Sequence, residues 1–188
     1  MFSRVPLVPP GIESISAPGH GFYAFFDPKD LATLQKAIDQ LDSYVSSEGP
    51  FDGVIGFSAG AVTAAMYMLQ KEQQSARCPF QCAVFFSAAE SRAEASYLGI
   101  DDTHPLISVP TAHFWGLQDS TAPSGGEDLS KMCDPTRRLA FIHGGGHEVP
   151  RGQQLAEAVH IIQETIRRAG AMGPVLPPTS DGPKYDSS

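Results

Sequence analysis

FDGVIGFSAG, residues 51–60, carries more information about the fold than any other segment of this 188-residue chain. Its first half is short and apolar like a buried strand, and the alanine-rich residues 61–69 have the composition of a packed helix. The pentapeptide Gly56-Phe57-Ser58-Ala59-Gly60 therefore places the pattern G-x-S-x-G on a sharp strand-to-helix turn. Glycines relieve crowding at such a turn, and the serine hydroxyl is left exposed at the helix N-terminus. The pattern predicts Ser58 as a nucleophile, although G-x-S-x-G also occurs in ordinary glycine-rich turns.

Segments typical of strands and of helices alternate along the chain. Apolar residues recur at helical spacing from Leu31 to Val45, and Gly49-Pro50 is expected to end that helix. Strands are predicted at residues 81–87, 110–116 and 139–142, a loop or short helix at 90–105, and a last helix from about Gln153 to Arg168. This alternation predicts an α/β fold, a mainly parallel sheet with flanking helices. In such sheets ligands bind beyond the carboxyl ends of the strands.

The length suits a single domain, which we assign to residues 1–168. Residues 1–21 are closely interrupted by proline and glycine, and we expect them to be irregular. The aromatic cluster from Phe22 to Phe26 is either a strand or a loop that lines a pocket. Residues 169–188 are rich in Gly, Pro, Ser and Asp, which predicts a disordered tail.

Composition and charge argue against several classes of function. The net charge is −8 and basic residues are not clustered, which disfavours a nucleic-acid partner. No continuous apolar stretch reaches the length of a membrane span, about 18 residues, and the N-terminus lacks the apolar core of a secretory signal. The three cysteines are odd in number and lack metal-ligand spacing. We therefore expect reduced thiols in a cytoplasmic protein. The serine chemistry considered below would require no metal or organic cofactor.

Two positions further along the chain supply the other residue types that a serine nucleophile needs. Acyl transfer by serine requires a base that takes the hydroxyl proton and a carboxylate that orients the base. Asp119 follows the predicted strand through Trp115, and His147 lies in a glycine-rich loop after the strand that ends near Ile142. The chain order Ser58, Asp119, His147 is that of α/β-hydrolases.

Each of these assignments has alternatives. Asp119 by itself also fits an aspartate that merely forms a turn. Glu148, next to the candidate base, is expected to be solvated or to pair with Arg151 rather than to act as the acid. The remaining rivals are Asp128 and Asp134 for the acid and His143 for the base, while His113 is expected to be packed within a strand.

Three motifs together resemble the FSH-type family of serine hydrolases. They are GFSAG at residues 56–60, WGLQD at 115–119 and GGHEVP at 145–150, and FYAFFD at 22–27 is similar to an aromatic segment of the same family. The family is an α/β-hydrolase group of esterases and thioesterases, many of whose fungal members act in polyketide pathways. The resemblance implies that Ser58 is the nucleophile, His147 the base and Asp119 its orienting acid. It also implies an ester or acyl thioester substrate, which includes a chain bound to an acyl carrier protein.

Residues 1–30 depart from the family pattern. The family opens with a strand that ends in His-Gly, and the loop after it supplies one of two oxyanion donors. Nothing in residues 1–30 has that character, and His20-Gly21 is too close to the serine turn at residues 56–60, here called the elbow, to replace it. We therefore expect an N-terminally shortened α/β-hydrolase in which the Ala59 N–H remains as one oxyanion donor. The sheet edge exposed in this way could pair with a second copy to form a homodimer.

The leading hypothesis for function is a serine hydrolase that cleaves a carboxylic ester or acyl thioester through an acyl-enzyme. Aromatic residues near the elbow, Phe57 and Tyr23 among them, are candidates for substrate binding, and the alternative for each is packing in the core. Two other functions stay open. One is a catalytically impaired binding protein, and the other is a lyase or cyclase that uses the same three residues.

Overall fold

The computed structural model describes residues 3–5, 22–74, 77–100 and 106–171. Strands and helices alternate, as the sequence predicts. In chain order they are β1 (Ser3–Val5), β2 (Phe22–Ala24), α1 (Ala32–Glu48), β3 (Gly53–Phe57), α2 (Ala59–Gln73), β4 (Cys82–Phe86), α3 (Arg92–Tyr97), β5 (Thr111–Gly116), α4 (Gly125–Lys131), β6 (Arg138–His143) and α5 (Leu155–Ala171).

Strands β3, β4, β5 and β6 form one four-stranded sheet in that order, and every pairing in it is parallel. Each strand is joined to the next by a segment that contains a helix, as parallel pairing requires. All five residues of β4 are buried, which is typical of a central strand covered on both faces. The predicted α/β fold with a mainly parallel sheet is therefore confirmed.

The two faces of the sheet are covered by different helices because side chains alternate along a strand. Ala83 and Phe85 of β4 belong to a large core that includes α1 and α2. Val84 and Phe86 belong to a second, smaller core that includes Ala158 of α5. Helix α2 is buried along nine consecutive residues, 61–69, which explains why this segment is apolar all round and rich in alanine.

Three details differ from the sequence prediction. Ser3–Val5, within the segment expected to be irregular, pairs antiparallel with Phe22–Ala24. Helix α5 continues to Ala171, so residues 169–171 are helical rather than part of a tail. Helix α4 was not predicted, since it begins with two glycines, which are poor helix formers. The rest of segment 1–21 and residues 172–188 lie outside the described residues.

Packing explains the glycines at the start of α4. A Cβ on Gly126 would lie 2.5 Å from Cβ of Trp115, and one on Gly125 would collide with the carbonyl oxygen of Ala88. The glycines therefore let α4 approach β5 and the segment after β4 closely, so tertiary packing overrides local helix propensity here.

One edge of the sheet is formed by β3, and among the described residues no strand pairs with its outer side. The Ser58 N–H donates to the Phe86 carbonyl, and the Asp52 carbonyl accepts from the Gln81 N–H. The backbone groups of Asp52 and Ser58 therefore point toward β4. Backbone groups alternate along a strand, and Ile55 therefore directs its N–H and C=O toward the outer side. Its side chain is 71% exposed.

No helix in the described part of the chain combines the length and the apolar character needed to cross a membrane.

Candidate active site

Ser58 occupies the turn between β3 and α2. Its backbone has φ +53° and ψ −123°, an unusual conformation for a residue other than glycine. Its N–H donates to the Phe86 carbonyl at 3.0 Å, and its own carbonyl accepts from the N–H of Ala61, also at 3.0 Å. The strained turn is thus fixed on both sides, and it projects the hydroxyl from the carboxyl end of the sheet.

Glycine is required at one flank of this turn. A Cβ on Gly56 would lie 2.5 Å from Cα and 2.8 Å from N of Ala61, which are backbone atoms of α2. The three atoms nearest to a Cβ on Gly60 belong to the ring of Phe25, the first of them at 3.1 Å. The first glycine of the pattern lets the helix fold back onto the strand, whereas the nearest neighbour of the second is a side chain rather than backbone.

The structure brings the predicted nucleophile, base and acid together. Nε2 of His147 is 2.8 Å from Oγ of Ser58, and Nδ1 of His147 is 2.8 Å from Oδ2 of Asp119. The carboxylate can only accept a hydrogen bond, so it orients the Nδ1 proton toward itself. Nε2 is then left to accept the hydrogen bond from the Ser58 hydroxyl. The three residues follow β3, β5 and β6, at the carboxyl ends where the sequence placed them.

Asp119 is buried, and both of its carboxylate oxygens are satisfied. Oδ1 accepts hydrogen bonds from the backbone N–H of Thr121 at 3.0 Å and of Ala122 at 2.9 Å. Oδ2 is therefore held in one orientation toward His147. The side chain forms a local turn and also contacts the histidine, so the two interpretations of Asp119 are compatible.

Backbone hydrogen bonds connect the loop that carries His147 to the loop that carries Asp119. The Leu117 N–H donates to the carbonyl of His143 at 2.8 Å, and the Gln118 N–H donates to the carbonyl of Gly145 at 3.0 Å. A Cβ on Gly116 would collide with the Gly145 carbonyl oxygen, so glycine is needed for this approach. The relative position of acid and base thus depends on main-chain contacts rather than on the two side chains alone.

The rival residues lie elsewhere. Asp128 forms a bidentate pair with Arg92 at 2.8 and 2.9 Å, which lowers the pKa of the carboxyl group. Glu148 pairs with Arg151 at 2.5 Å, as predicted. His143 is buried at the end of β6, where its Nδ1 accepts from the Gly145 N–H at 3.3 Å rather than from Ser58.

Two further expectations concern His113, expected to be packed within a strand, and Asp134, a rival for the acid. His113 is buried in β5, as predicted, and burial first and the positive charge of Arg138 second lower its pKa to about 3. Asp134 forms a turn in which Oδ1 accepts from the Thr136 N–H at 2.8 Å. Among the described residues no group of three or more His, Cys, Asp or Glu side chains could hold a metal ion.

A mostly apolar cavity of about 700 Å³ lies beside the turn. Its lining residues include Phe25, Leu41, Tyr44, Ile55, Phe57 and Gly60. Phe57 and Gly60 flank Ser58 along the chain, and the Phe57 ring lies edge-on to His147 with 5.3 Å between ring centroids. Of Tyr23 only the backbone is described, in β2, so its predicted contact with substrate stays a prediction.

A parallel sheet flanked by helices, with a serine on a strained turn after one strand and its Asp and His partners after later strands, defines the α/β-hydrolase class of serine hydrolases. Comparison with known families gives the same result, since residues 13–159 match the family model described as Serine hydrolase (FSH1). The chain belongs to this family and is a serine hydrolase.

Fungal enzymes are among its relatives. Esterase FPY3 of Fusarium mangiferae is 39% identical over 155 residues, which covers 78% of this chain and 70% of the relative. Esterase alnB of Emericella nidulans is 45% identical over 193 residues, covering 64% of this chain and 68% of the relative.

Among solved structures, acyl-protein thioesterase 2 of Zea mays superposes with a TM-score of 0.55 at 18% identity. The superposition covers 79% of this chain and 74% of the plant protein. At this level of identity the likeness concerns the fold.

Proposed function

We propose that this protein hydrolyses a carboxylic ester or an acyl thioester through an acyl-enzyme on Ser58. The observation that carries the proposal is the continuous hydrogen-bond chain from Ser58 through His147 to Asp119, with 2.8 Å at both links. This arrangement provides a nucleophile, a base in contact with it and a buried carboxylate that fixes the base.

In the first half of the reaction Ser58 Oγ attacks the acyl carbon while His147 Nε2 takes the hydroxyl proton. The new O–C bond yields a tetrahedral intermediate with its negative charge on the former carbonyl oxygen. When the bond to the leaving alcohol or thiol breaks, His147 returns the proton to that group. In the second half, water attacks the acyl carbon while His147 takes a proton from it. When the bond between Ser58 Oγ and the acyl carbon breaks, His147 returns that proton to Oγ, and the carboxylic acid is released.

The Ala59 N–H supports the same chemistry from the start of α2. Ala59 follows the nucleophile and is the first residue of the helix, where backbone N–H groups are directed toward a developing negative charge. We assign this N–H as an oxyanion donor. Loss of one such donor typically reduces the rate by about 10²–10³-fold.

The acyl part of the substrate is proposed to be apolar. The lining of the cavity beside the elbow is dominated by aliphatic and aromatic side chains, and Phe57 contacts the candidate base. We assign Phe57 to substrate binding. The names of the fungal relatives as esterases agree with an ester substrate. A role in a polyketide pathway, with an acyl-carrier-protein-bound chain as substrate, is proposed from the family resemblance alone.

A cytoplasmic location and a homodimer complete the proposal. All three cysteines, Cys78, Cys82 and Cys133, are free thiols, which favours a reducing compartment. Within the described part of the chain no strand pairs with the outer side of β3, which favours pairing with a second copy. Fluorescence microscopy of the tagged protein tests the location. Light scattering, which gives the oligomeric state, tests the homodimer.

The proposed chemistry is tested by labelling with a fluorophosphonate and measuring the intact mass. We expect one adduct on the wild type and none on Ser58→Ala. Ser130→Ala is the matched control, because Ser130 donates its hydroxyl hydrogen bond to Glu127 within α4 and contacts none of the three residues. Hydrolysis of p-nitrophenyl esters from acetate to decanoate then reports the preferred acyl length. An unlabelled but folded wild type would support the binding-protein alternative instead.

A further inference from the structure

Ser87, which follows β4 directly, has two unusual properties. Its φ is +38°, in the region that residues other than glycine rarely adopt, and its side chain is completely buried. It also lies next to Phe86, whose carbonyl accepts the N–H of Ser58. A strained, buried polar residue at this place is explained only if its contacts require it.

Those contacts connect three parts of the site. The Ser87 N–H donates to the carbonyl of Phe114 in β5 at 2.7 Å, which fixes its backbone between the two central strands. Its hydroxyl donates to the carbonyl of Glu148 at 2.9 Å, across 61 positions of the sequence. Glu148 is the residue after His147, so the hydroxyl holds the main chain that carries the candidate base.

The main chain of Glu148 is also held at its N–H. The Glu148 N–H donates to the carbonyl of Gly146 at 2.9 Å, so the main chain of Glu148 has one hydrogen bond within the loop and one from Ser87, which follows β4. Among the described residues, loss of the Ser87 hydroxyl would leave the contact within the loop as the one main-chain hydrogen bond of Glu148. The glycines before His147 provide no stiffness of their own, because glycine has a wide choice of backbone conformations.

The backbone conformation alone does not select serine at this position. Glycine would adopt a positive φ without the strain, which costs about 1–3 kcal/mol for other residues. The hydroxyl distinguishes serine from glycine here, and it donates its hydrogen bond to the Glu148 carbonyl.

We propose that Ser87 is a positioning residue for His147, acting through the hydrogen bond from its hydroxyl to the Glu148 carbonyl. The inference rests on the proposed function, in which His147 must stay within hydrogen-bond distance of Ser58. A displacement of about 1 Å in such a site can reduce the rate about 10²-fold. Substrate binding in the apolar cavity does not involve this contact.

Two substitutions separate the hydroxyl from the strain. Ser87→Ala removes the hydroxyl and keeps the strain, whereas Ser87→Gly removes both. We expect both variants to lose kcat about 10- to 100-fold with KM nearly unchanged, and to react more slowly with fluorophosphonate by a similar factor. Ser130→Ala, which removes another buried serine hydroxyl that donates to a main-chain carbonyl, should label at the wild-type rate.

The proton NMR spectrum gives a measurement that does not depend on turnover. The Nδ1 proton between His147 and Asp119 should give a downfield resonance in the wild type and in Ser130→Ala. In Ser87→Ala and Ser87→Gly it should broaden or shift, because the imidazole is no longer held. If the folded Ser87→Gly variant labels as fast as wild type and keeps this resonance, Ser87 is not a positioning residue. A wild type without labelling would overturn the proposed function and this inference together, whereas equal labelling of wild type and both variants overturns the inference alone.

Discussion

At the scale of single residues, the site depends on side chains whose two ends have different partners. His147 contacts Ser58 with one ring nitrogen and Asp119 with the other. Asp119 contacts His147 with one oxygen and the backbone N–H groups of Thr121 and Ala122 with the other. A substitution that keeps the shape of a side chain but exchanges its hydrogen-bond donors and acceptors therefore tests the catalytic role of that side chain and leaves its packing intact.

Asp119→Asn is such a change. The amide oxygen can still accept from Thr121 and Ala122, but the amide N–H₂ faces His147 and favours the ring form with its proton on Nε2, which cannot accept from Ser58. We expect kcat to fall by about 10²–10⁴-fold with little change in the melting temperature. Steady-state kinetics with a p-nitrophenyl ester and a thermal melt measure both.

Asp128→Asn is the matched control for that experiment. Asp128 pairs with Arg92 and not with His147. Its loss should affect stability and leave kcat within about twofold, since interactions outside the reacting groups do not differ between ground state and transition state. Equal losses of kcat in the two variants would contradict the assignment of Asp119.

His113 gives a prediction for the pH dependence of stability. The pKa of His113 is about 3 in the folded protein, whereas its ordinary value is 6.5. Between pH 3 and pH 6.5 this histidine therefore binds a proton in the unfolded chain but not in the folded one. This contribution to the free energy of unfolding is complete above pH 6.5 and is lost as the pH falls toward 3, with a slope of at most about 1.4 kcal/mol per pH unit. Urea unfolding at pH 7.5 and pH 5 should show a smaller loss for His113→Gln than for wild type.

The exposed histidine of α5 provides the control, since His160→Gln should leave the wild-type difference between the two pH values unchanged. If His113→Gln and wild type lose the same free energy on acidification, His113 is not the residue responsible.

At the scale of elements, the turn from β3 to α2 determines where the nucleophile is held. Helix α2 begins one residue after Ser58, and its first turn packs directly against Gly56. Strand and helix are therefore joined without a loop that could absorb a larger side chain. The two glycines of the pattern have different environments, so they are expected to tolerate substitution differently.

Gly56→Ala should be strongly destabilising because its Cβ would lie 2.5 Å from Cα of Ala61, and backbone must move. Overpacking of this kind costs about 1–3 kcal/mol, and we expect a loss of labelling at Ser58 as well. Gly60→Ala should cost less, since Phe25 can rotate away and alanine favours the helix by about 1 kcal/mol. Urea unfolding gives the free energy of unfolding of both variants. If Gly56→Ala were more stable than Gly60→Ala, the described packing around Gly56 would be wrong.

At the scale of the whole molecule, the parallel sheet is covered on both faces, and within the described residues no strand pairs with the outer side of either edge strand, β6 or β3. The proposed homodimer pairs through the β3 edge. This edge adjoins the apolar cavity, because Ile55 belongs to both. Exposed apolar strand edges favour pairing with other chains. The edge is thus the surface to alter in a test of the proposed homodimer.

Ile55→Lys should convert a dimer to a monomer, because a charged side chain on an edge strand opposes pairing. Ile142→Lys makes the matched change on β6, the other edge strand, where the side chain is also exposed, and it should leave the oligomeric state unchanged. Loss of the dimer in Ile142→Lys but not in Ile55→Lys would contradict pairing through β3. Light scattering over a range of concentrations measures both. A wild type that is monomeric at every concentration would refute the homodimer.

Much of this fold could be predicted because its elements have local sequence patterns. Helical spacing from Leu31 to Val45 corresponds to α1, and the apolar run at 81–87 corresponds to β4. These patterns depend on residues a few positions apart, whose burial is set by the period of the helix or strand. Helix α4 was missed because its glycines serve contacts with Ala88 and Trp115, which are distant in sequence.

The sequence by itself determined the alternation of strands and helices, the serine turn and the chain order of Ser58, Asp119 and His147. Only the tertiary structure decided that His147 contacts Ser58, 89 positions away in the sequence, and Asp119, 28 positions away. The same holds for the contact between Ser87 and Glu148, which are 61 positions apart. Local periodicity cannot give such contacts, because they exist only after the strands have paired and the loops at their ends have packed together.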